Sequence, residues 1–371
     1  SQLYDNNLQN LGMNNRALGS DFKDEIVEFQ LNFEQSFAKE GQSLSAYVTR
    51  SEDTESYINI IQNTNGDFTD EQYTENNKIK NTIFDIKYSQ PLKESSSFAV
   101  GYNAELGEIP FRYENGNALE IDYERDVHAL FLDYEKEFDK FYFSVGMRTE
   151  FSSTSLDYSS LNSGYSENRT DWFPSSYVEY SLGERSSVNL SYGRKLIEPG
   201  YYQLNPIEQR YSESSIYKGN ENLKPVFVDM TNLAFSFYGN RFTLTPSVFF
   251  NKYHDYWQEI TFTTGEVINA IPRMITTPVN LGTVNYIGVN ITAVNRISNA
   301  VSLTTNVLLF QFDQRGIYQS MNRSLQPIVR DYNHNSLSGT LSLMAQIKLP
   351  KLVNIQSTVK HELASEGAYS K

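Results

Sequence analysis

The sequence predicts an all-β protein, an antiparallel transmembrane barrel of the outer-membrane type, and three observations support this prediction. Apolar residues recur at every second position in segment after segment of the 371 residues. Short and long connections between these segments alternate, as they do in outer-membrane barrels. No run approaches the roughly 18 apolar residues that a membrane-spanning helix needs.

The alternation is clearest in residues 27–33, 141–151 and 242–250. Strict alternation gives a strand one apolar and one polar face. In the second of these segments the apolar side chains are expected to face lipid, and these are Phe141, Phe143, Val145 and Met147. The side chains between them are expected to face the lumen, and these include Ser144, Arg148 and Glu150. The pattern predicts about 14 strands of roughly ten residues, the length that crosses a bilayer.

The lengths of the connections indicate which ends of the strands face the periplasm. Short turns are predicted at 38–42, 91–96, 135–139, 183–186, 238–241, 296–299 and 350–351. Long polar loops are predicted at 51–77, 105–125, 152–170, 196–226, 253–282 and 313–335. Periplasmic turns are short and outside loops are long, so the first strand descends and the last one rises. We therefore expect residues 1–371 to form a single, internal section of a larger barrel, with strands missing at both ends.

Composition excludes other classes of protein. A formal net charge of −14 argues against binding to nucleic acid, which needs clustered Lys and Arg. The 26 Tyr and 23 Phe argue against a disordered acidic chain. The absence of Cys rules out disulfides and thiolate metal sites.

Several motifs resemble those of one family, the outer-membrane β-barrels of the TonB-dependent-receptor-like type. The strongest is G-N-E-N-L-K-P, formed by Gly219, Asn220, Glu221, Asn222, Leu223, Lys224 and Pro225. Others in matching order lie at 146–150, 173–175, 192–195, 199–206 and 280–282, with Gly288. The resemblance covers about residues 84–291 well. Glu221, Val226 and Glu198 stand where the family usually has Pro, Glu and Arg.

The resemblance implies a large barrel of about 22 strands that is filled by an N-terminal plug. It also implies an energy transducer of the TonB type, which acts through that plug, and a location in the Gram-negative outer membrane among lipid and lipopolysaccharide. Neither plug nor contact peptide is in this chain, so active transport is implied by resemblance alone.

The motif loop has a physical interpretation of its own. Gly219 would permit a left-handed backbone, Asn220 and Asn222 would hydrogen-bond their own turn, and Pro225 would fix the entry to a strand. Leu223 would anchor the loop on the barrel rim. A structural staple is favoured over a ligand site here. For Arg148 and Glu150, a structural network in the lumen is favoured over contact with substrate.

Other candidate sites are weak. The four histidines, His128, His254, His334 and His361, lack metal-ligand spacing. Residues 215–218 match S-x-x-K but are predicted to be loop, and residues 63–74 lack the Gly and Glu of a calcium loop. No catalytic residue, metal or cofactor is therefore predicted, and the protein is not expected to be an enzyme.

Two functions remain open at this stage. The first is TonB-dependent-type uptake or passage of a solute across the outer membrane. The alternative is a non-transporting barrel that serves as a structural or docking subunit of an outer-membrane assembly or secretion complex, with surface lipoproteins or envelope-complex subunits as partners. A plug in the full-length gene product would favour the first, and stable co-purification with lipoproteins or secretion components would favour the second.

Overall fold

The computed structural model describes the chain except for residues 1, 5–9, 14, 65–70, 94, 116, 159–162, 211–213, 269–270, 322–326, 350–352 and 364–371. The strands are β1 (Gln2–Tyr4), β2 (Asn10–Met13), β3 (Asn15–Ser36), β4 (Ser43–Thr64), β5 (Glu71–Pro91), β6 (Ser96–Asn115), β7 (Asn117–Phe138), β8 (Phe141–Tyr158), β9 (Ser163–Gly183), β10 (Ser186–Ile197), β11 (Gln209–Arg210), β12 (Ser215–Tyr217), β13 (Val226–Tyr238), β14 (Phe242–Ile268), β15 (Ile271–Arg296), β16 (Val301–Met321), β17 (Pro327–Asp331), β18 (His334–Leu349) and β19 (Val353–Leu363). A four-residue helix, α1 (Tyr201–Leu204), lies between β10 and β11. Among the described residues, no helix is long and apolar enough to cross a membrane.

The predicted all-β fold class is confirmed. Fourteen strands have more than ten residues, and from β3 to β19 each pairs antiparallel with the next in a sheet that curls into a barrel. These strands are 11 to 27 residues long, which is more than the predicted ten. Above the membrane the strands continue with a polar outer face, and there they resemble a loop in sequence.

Six of the short turns lie where they were predicted, with strands ending at Ser36, Pro91, Phe138, Gly183, Tyr238 and Arg296, while the turn predicted at 350–351 lies outside the described residues. The prediction of long loops was wrong for most of these stretches, because their residues continue the strands as tall hairpins. Asn115 pairs with Asn117 at the tip of the β6–β7 hairpin. Ile268 pairs with Ile271 at the tip of β14 and β15. The connection between β10 and β13 is different, since it leaves the sheet and folds back on the barrel wall.

The register places large apolar side chains on one continuous outer face. Leu190 of β10 lies beside Leu233 of β13 and Val178 of β9, and all three are more than a third exposed. The same exposed row includes Val100, Leu130, Leu132, Val145, Met147, Val248, Phe250, Ile287, Leu309, Leu337, Leu341 and Leu343. Such a band would be a liability in water, and it fits the hydrocarbon that surrounds an outer-membrane barrel.

The seam of the barrel lies between β19 and β3, which are neighbours in the ring order. Among the described residues, β3 has a ladder with β4 and β19 has a ladder with β18, and no residue pairing joins the two across the seam. Ile26 on β3 and Val359 on β19 are accordingly 62% and 65% exposed. The expectation that further strands belong between β19 and β3 stays a prediction.

Candidate functional site

The described residues of 198–225, which are 198–210 and 214–225, form a segment, here called the inner segment, that folds into the lumen at the end opposite the short turns. β10 ends at Ile197, and the chain turns inward through α1 before it reaches β11 and β12. β12 then pairs in parallel with β15, with Ile216 beside Ile275. β10 and β15 are separated by β13 and β14 in the sheet, so the inner segment passes over these two strands at the outer end of the barrel.

A hydrophobic cluster holds the first and last parts of the inner segment against the wall. Leu204 and Leu223 pack together with inward-facing side chains of three strands, namely Phe111, Ile121, Tyr123, Leu156 and Tyr158. The ring of Tyr201 lies 6.0 Å from that of Phe111. Burial, together with the nearby carboxylates of Glu75 and Glu55, raises the pKa of Tyr201 to about 12, so its hydroxyl stays protonated at neutral pH. Because Leu223 belongs to this cluster, it anchors the inner segment on the inner face of the barrel wall.

The 199–206 and 219–225 motifs meet through backbone hydrogen bonds. The Gly219 amide donates to the Asn205 carbonyl at 2.8 Å, and the Asn220 amide donates to the Gln203 carbonyl at 2.7 Å. A Cβ atom on Gly219 would lie 2.4 Å from that Asn205 oxygen. Among the described glycines, Gly41, Gly265 and Gly282 have positive φ angles and Gly219 does not. The expected left-handed backbone at Gly219 was thus wrong, and the residue is small because two chains approach closely there.

Asn280, from the third motif, clamps the end of the inner segment to the wall. Its side chain accepts a hydrogen bond from the Lys224 amide at 2.9 Å and donates one to the Lys224 carbonyl at 3.0 Å. The Asn220 side chain donates to the Pro278 carbonyl at 3.1 Å and accepts from the Asn222 amide at 3.0 Å. Pro225 is buried directly before β13. Three motifs that lie far apart in the sequence are thus joined in one structure.

An ionic network, which the sequence did not reveal, holds the start of the inner segment. The Glu198 carboxylate pairs with Arg169 of β9 and, at 3.4 Å, with Arg125 of β7. Arg169 also pairs with Glu167 and Asp171 on its own strand, each at 3.2 Å. Two arginines on the wall explain the glutamate at 198, because an arginine there would be repelled by both.

Replacing Glu198 with glutamine should loosen the inner segment. The change leaves two partly buried arginines without a shared carboxylate. This should weaken the attachment of the inner segment to the wall by about 1–3 kcal/mol. We expect faster cleavage within residues 198–225 when protease is added to the folded protein. The control is Glu362→Gln, which removes one carboxylate from an exposed pair with Lys360 at 2.5 Å. Equal cleavage rates in both variants would show that the network does not hold the segment.

Arg148 and Glu150 lie on the inner face of β8, below the inner segment. The Arg148 Nε donates to Glu150 at 2.6 Å, and its Nη2 donates to Asn103 of β6 at 3.1 Å. Asn103 in turn donates to Asp85 of β5 at 3.4 Å. The two residues thus belong to a network that ties three strands together, while Val145 and Met147 point outward from the same strand.

The remaining sequence candidates lie apart from the inner segment's contacts. His254 pairs with Asp229 at 2.9 Å and His128 bonds Tyr102 at 2.6 Å, both on the outer face of the barrel. Asp229 also receives two bonds from Arg194, at 2.7 and 2.9 Å, a cluster that sequence reasoning missed. Residues 215–217 of the S-x-x-K match form β12, and 65–70 of the calcium-like loop lie outside the described residues. Within the described part of the chain, no group of three or more His, Asp or Glu side chains is placed to hold a metal ion.

Solved structures with this fold are outer-membrane transporters and receptors. The copper transporter OprC superposes with a TM-score of 0.59 at 12% identity, over 91% of this chain and 58% of that one. The ferric-catecholate import receptor Fiu from K12 E. coli gives 0.58 at 13% identity, over 91% and 53%. The ferric citrate transporter FecA gives 0.55 at 9% identity, over 92% and 62%. This chain therefore spans between half and two thirds of each, and at these identities the likeness concerns the fold.

No curated protein sequence matches the chain. The sequence profile of the outer membrane protein beta-barrel family matches residues 9–370. The TonB-dependent-receptor-like resemblance and the outer-membrane location expected from the motifs agree with that match and with the structural neighbours. Since the profile takes in nearly the whole chain, the protein belongs to the outer membrane protein beta-barrel family and is an integral protein of the Gram-negative outer membrane.

Proposed function

We propose that the barrel forms the wall of a passage for a solute across the outer membrane, and that the inner segment narrows its outer end. The observation that carries this proposal is that described residues of the inner segment pack on the inner face of β6, β7 and β8 and also pair with β15. A barrel that serves only as a membrane anchor has no need to place its most elaborate loop inside the lumen. The inner segment lies where an entering solute would meet it, and specific side chains hold it there.

Movement of the inner segment would open the passage. Asn220 and Asn280 tie it to β15 through three side-chain hydrogen bonds, one from Asn220 to Pro278 and two between Asn280 and Lys224. Such bonds contribute about 0.5–1.5 kcal/mol each, so the segment is held firmly and can still be released. In this function the barrel binds a solute and gates its passage, and it catalyses no reaction.

Energy for uptake would come from a TonB-type transducer that acts through a plug domain. This part of the proposal is supported by the family motifs and by the fold shared with OprC, Fiu and FecA. Those proteins are named for copper, ferric catecholate and ferric citrate. The inward-facing polar network of Arg148, Glu150 and Asn103 would line the route.

A conductance measurement on the full-length protein in planar lipid bilayers tests the gate. The Asn220→Ala, Asn280→Ala double variant should show larger or more frequent open events than the wild-type protein. The matched control is Gln311→Ala, Asn335→Ala, which removes a 3.0 Å side-chain bond on the exposed face. This control should conduct like the wild-type protein.

Identical conductance in both double variants would count against a gate. The alternative function, a non-transporting structural or docking subunit, predicts a closed lumen in every variant. It also predicts a complex with other envelope proteins that survives purification from the membrane. Solute uptake that is lost on deletion of the energy transducer would instead support the transport proposal.

A further inference from the structure

A second feature of the lumen lies at the opposite, short-turn end. A cavity of about 610 Å³ opens on the inner face where the β13–β14 and β15–β16 turns meet the start of β16 and the end of β18. Its lining includes Arg241, Arg296 and Lys348, together with the polar side chains of Ser302, Thr304 and Gln346. The short turns mark the periplasmic end of a barrel of this type.

The register confirms that these side chains share the inner face. Arg296 pairs with Ser302, and Ser302 pairs with Gln346, in three adjacent strands. The Arg296 amide donates to the Arg241 carbonyl at 2.7 Å, which brings the β13–β14 turn beside them. Three cationic side chains from three separate chain segments therefore converge on one cavity.

The cavity contains no carboxylate. The whole protein has 45 Asp and Glu against 31 Lys and Arg, yet none of the acidic residues is among the residues that line this cavity. Seven other arginines of the described chain pair with carboxylates, and these are Arg112, Arg125, Arg148, Arg169, Arg194, Arg273 and Arg315. Within the described residues, no ion pair joins Arg241, Arg296 or Lys348 to an acidic side chain.

We infer that this cavity is a binding site for small anions with two or more negative charges, such as polycarboxylates or phosphates. Three neighbouring cations repel one another, and a multivalent anion between them relieves that repulsion. Arginine offers paired N–H donors that match the oxygens of a carboxylate or phosphate, and the lysine adds a point charge. The hydroxyls of Ser302 and Thr304 and the amide of Gln346 supply further donors. A cavity of this size holds a molecule of a dozen or so non-hydrogen atoms with water around it.

Calorimetric titration of the full-length protein in detergent, with citrate and with pyrophosphate as probes, tests the inference. Binding should be saturable and should weaken as salt is raised. The Arg241→Gln, Arg296→Gln, Lys348→Gln variant should bind at least about thirtyfold more weakly, since charge-assisted bonds contribute substantially to affinity. Each single variant should weaken binding by an intermediate amount.

The control removes the same number of positive charges elsewhere. Arg315, Lys360 and Lys78 are exposed cations that each pair with a carboxylate, at 3.1, 2.5 and 2.6 Å. If the charge around the cavity, and not the net charge of the protein, determines binding, their combined replacement by glutamine should leave the affinity for citrate within about twofold of wild type. No binding to the wild-type protein, or equal losses in the two triple variants, would overturn the inference. Circular dichroism shows whether both variants keep the barrel.

Discussion

Replacing Val145 with arginine is expected to destabilise the folded barrel by about 2–4 kcal/mol, the cost of a cation near the bilayer midplane. Val145 is 47% exposed on the outer face of β8. It follows the turn at Lys140 by five residues, a rise of roughly 16 Å along a strand. On a strand tilted by about 40°, that distance reaches the middle of an apolar band about 25 Å tall.

Ser144→Arg is the matched control, because it introduces the same side chain one position away. Ser144 lies on the inner face, opposite Glu135 of β7 and Tyr177 of β9, so its arginine would meet water and a carboxylate. The free energy of unfolding, measured by urea titration in lipid vesicles, should fall much less than for Val145→Arg. A larger loss at Ser144 than at Val145 would reverse the assignment of the two faces.

The barrel was predictable because the alternation that defines a membrane strand is local. Each strand reveals its lipid face by residues two apart, as Val145 and Met147 do, without knowledge of its partners. Strand length was not predictable in the same way. Above the bilayer the outer face becomes polar, as with Asp122, Glu124 and Asp126 on β7, so the apolar lipid face that identifies a membrane strand is lost although the backbone ladder continues.

The candidate site was predictable only in part. The motifs at 199–206, 219–225 and 280–282 were recognised separately, and their structural role was anticipated for Leu223 and Pro225. The contacts among the three motifs were not predicted, since the inner segment passes over two strands before β12 pairs with β15. The Arg125–Glu198–Arg169 network was missed for the same reason: these residues come from three regions of the sequence, and only the register brings them together.

Leu223→Ala is expected to release the inner segment from the wall, at a cost of about 2–5 kcal/mol for a fully buried leucine. Leu223 is 3% exposed and belongs to the cluster that joins the inner segment to β6, β7 and β8. The loss should be local, because the ladders of the barrel do not depend on this side chain. The amide hydrogens of Gly219 and Asn220, which bond Asn205 and Gln203, should then exchange with solvent much faster.

Leu130→Ala separates this local effect from a general weakening of the protein. Leu130 is 57% exposed toward lipid on β7, so its truncation affects the membrane face and leaves the cluster intact. Exchange at Gly219 and Asn220 should stay at the wild-type rate in that variant. If the two leucine variants accelerate exchange equally, the inner segment opens only with the whole barrel and cannot act as a gate. If Leu223→Ala alone does so, the segment is a separate unit of stability, and a solute or a plug can move it without disturbing the wall.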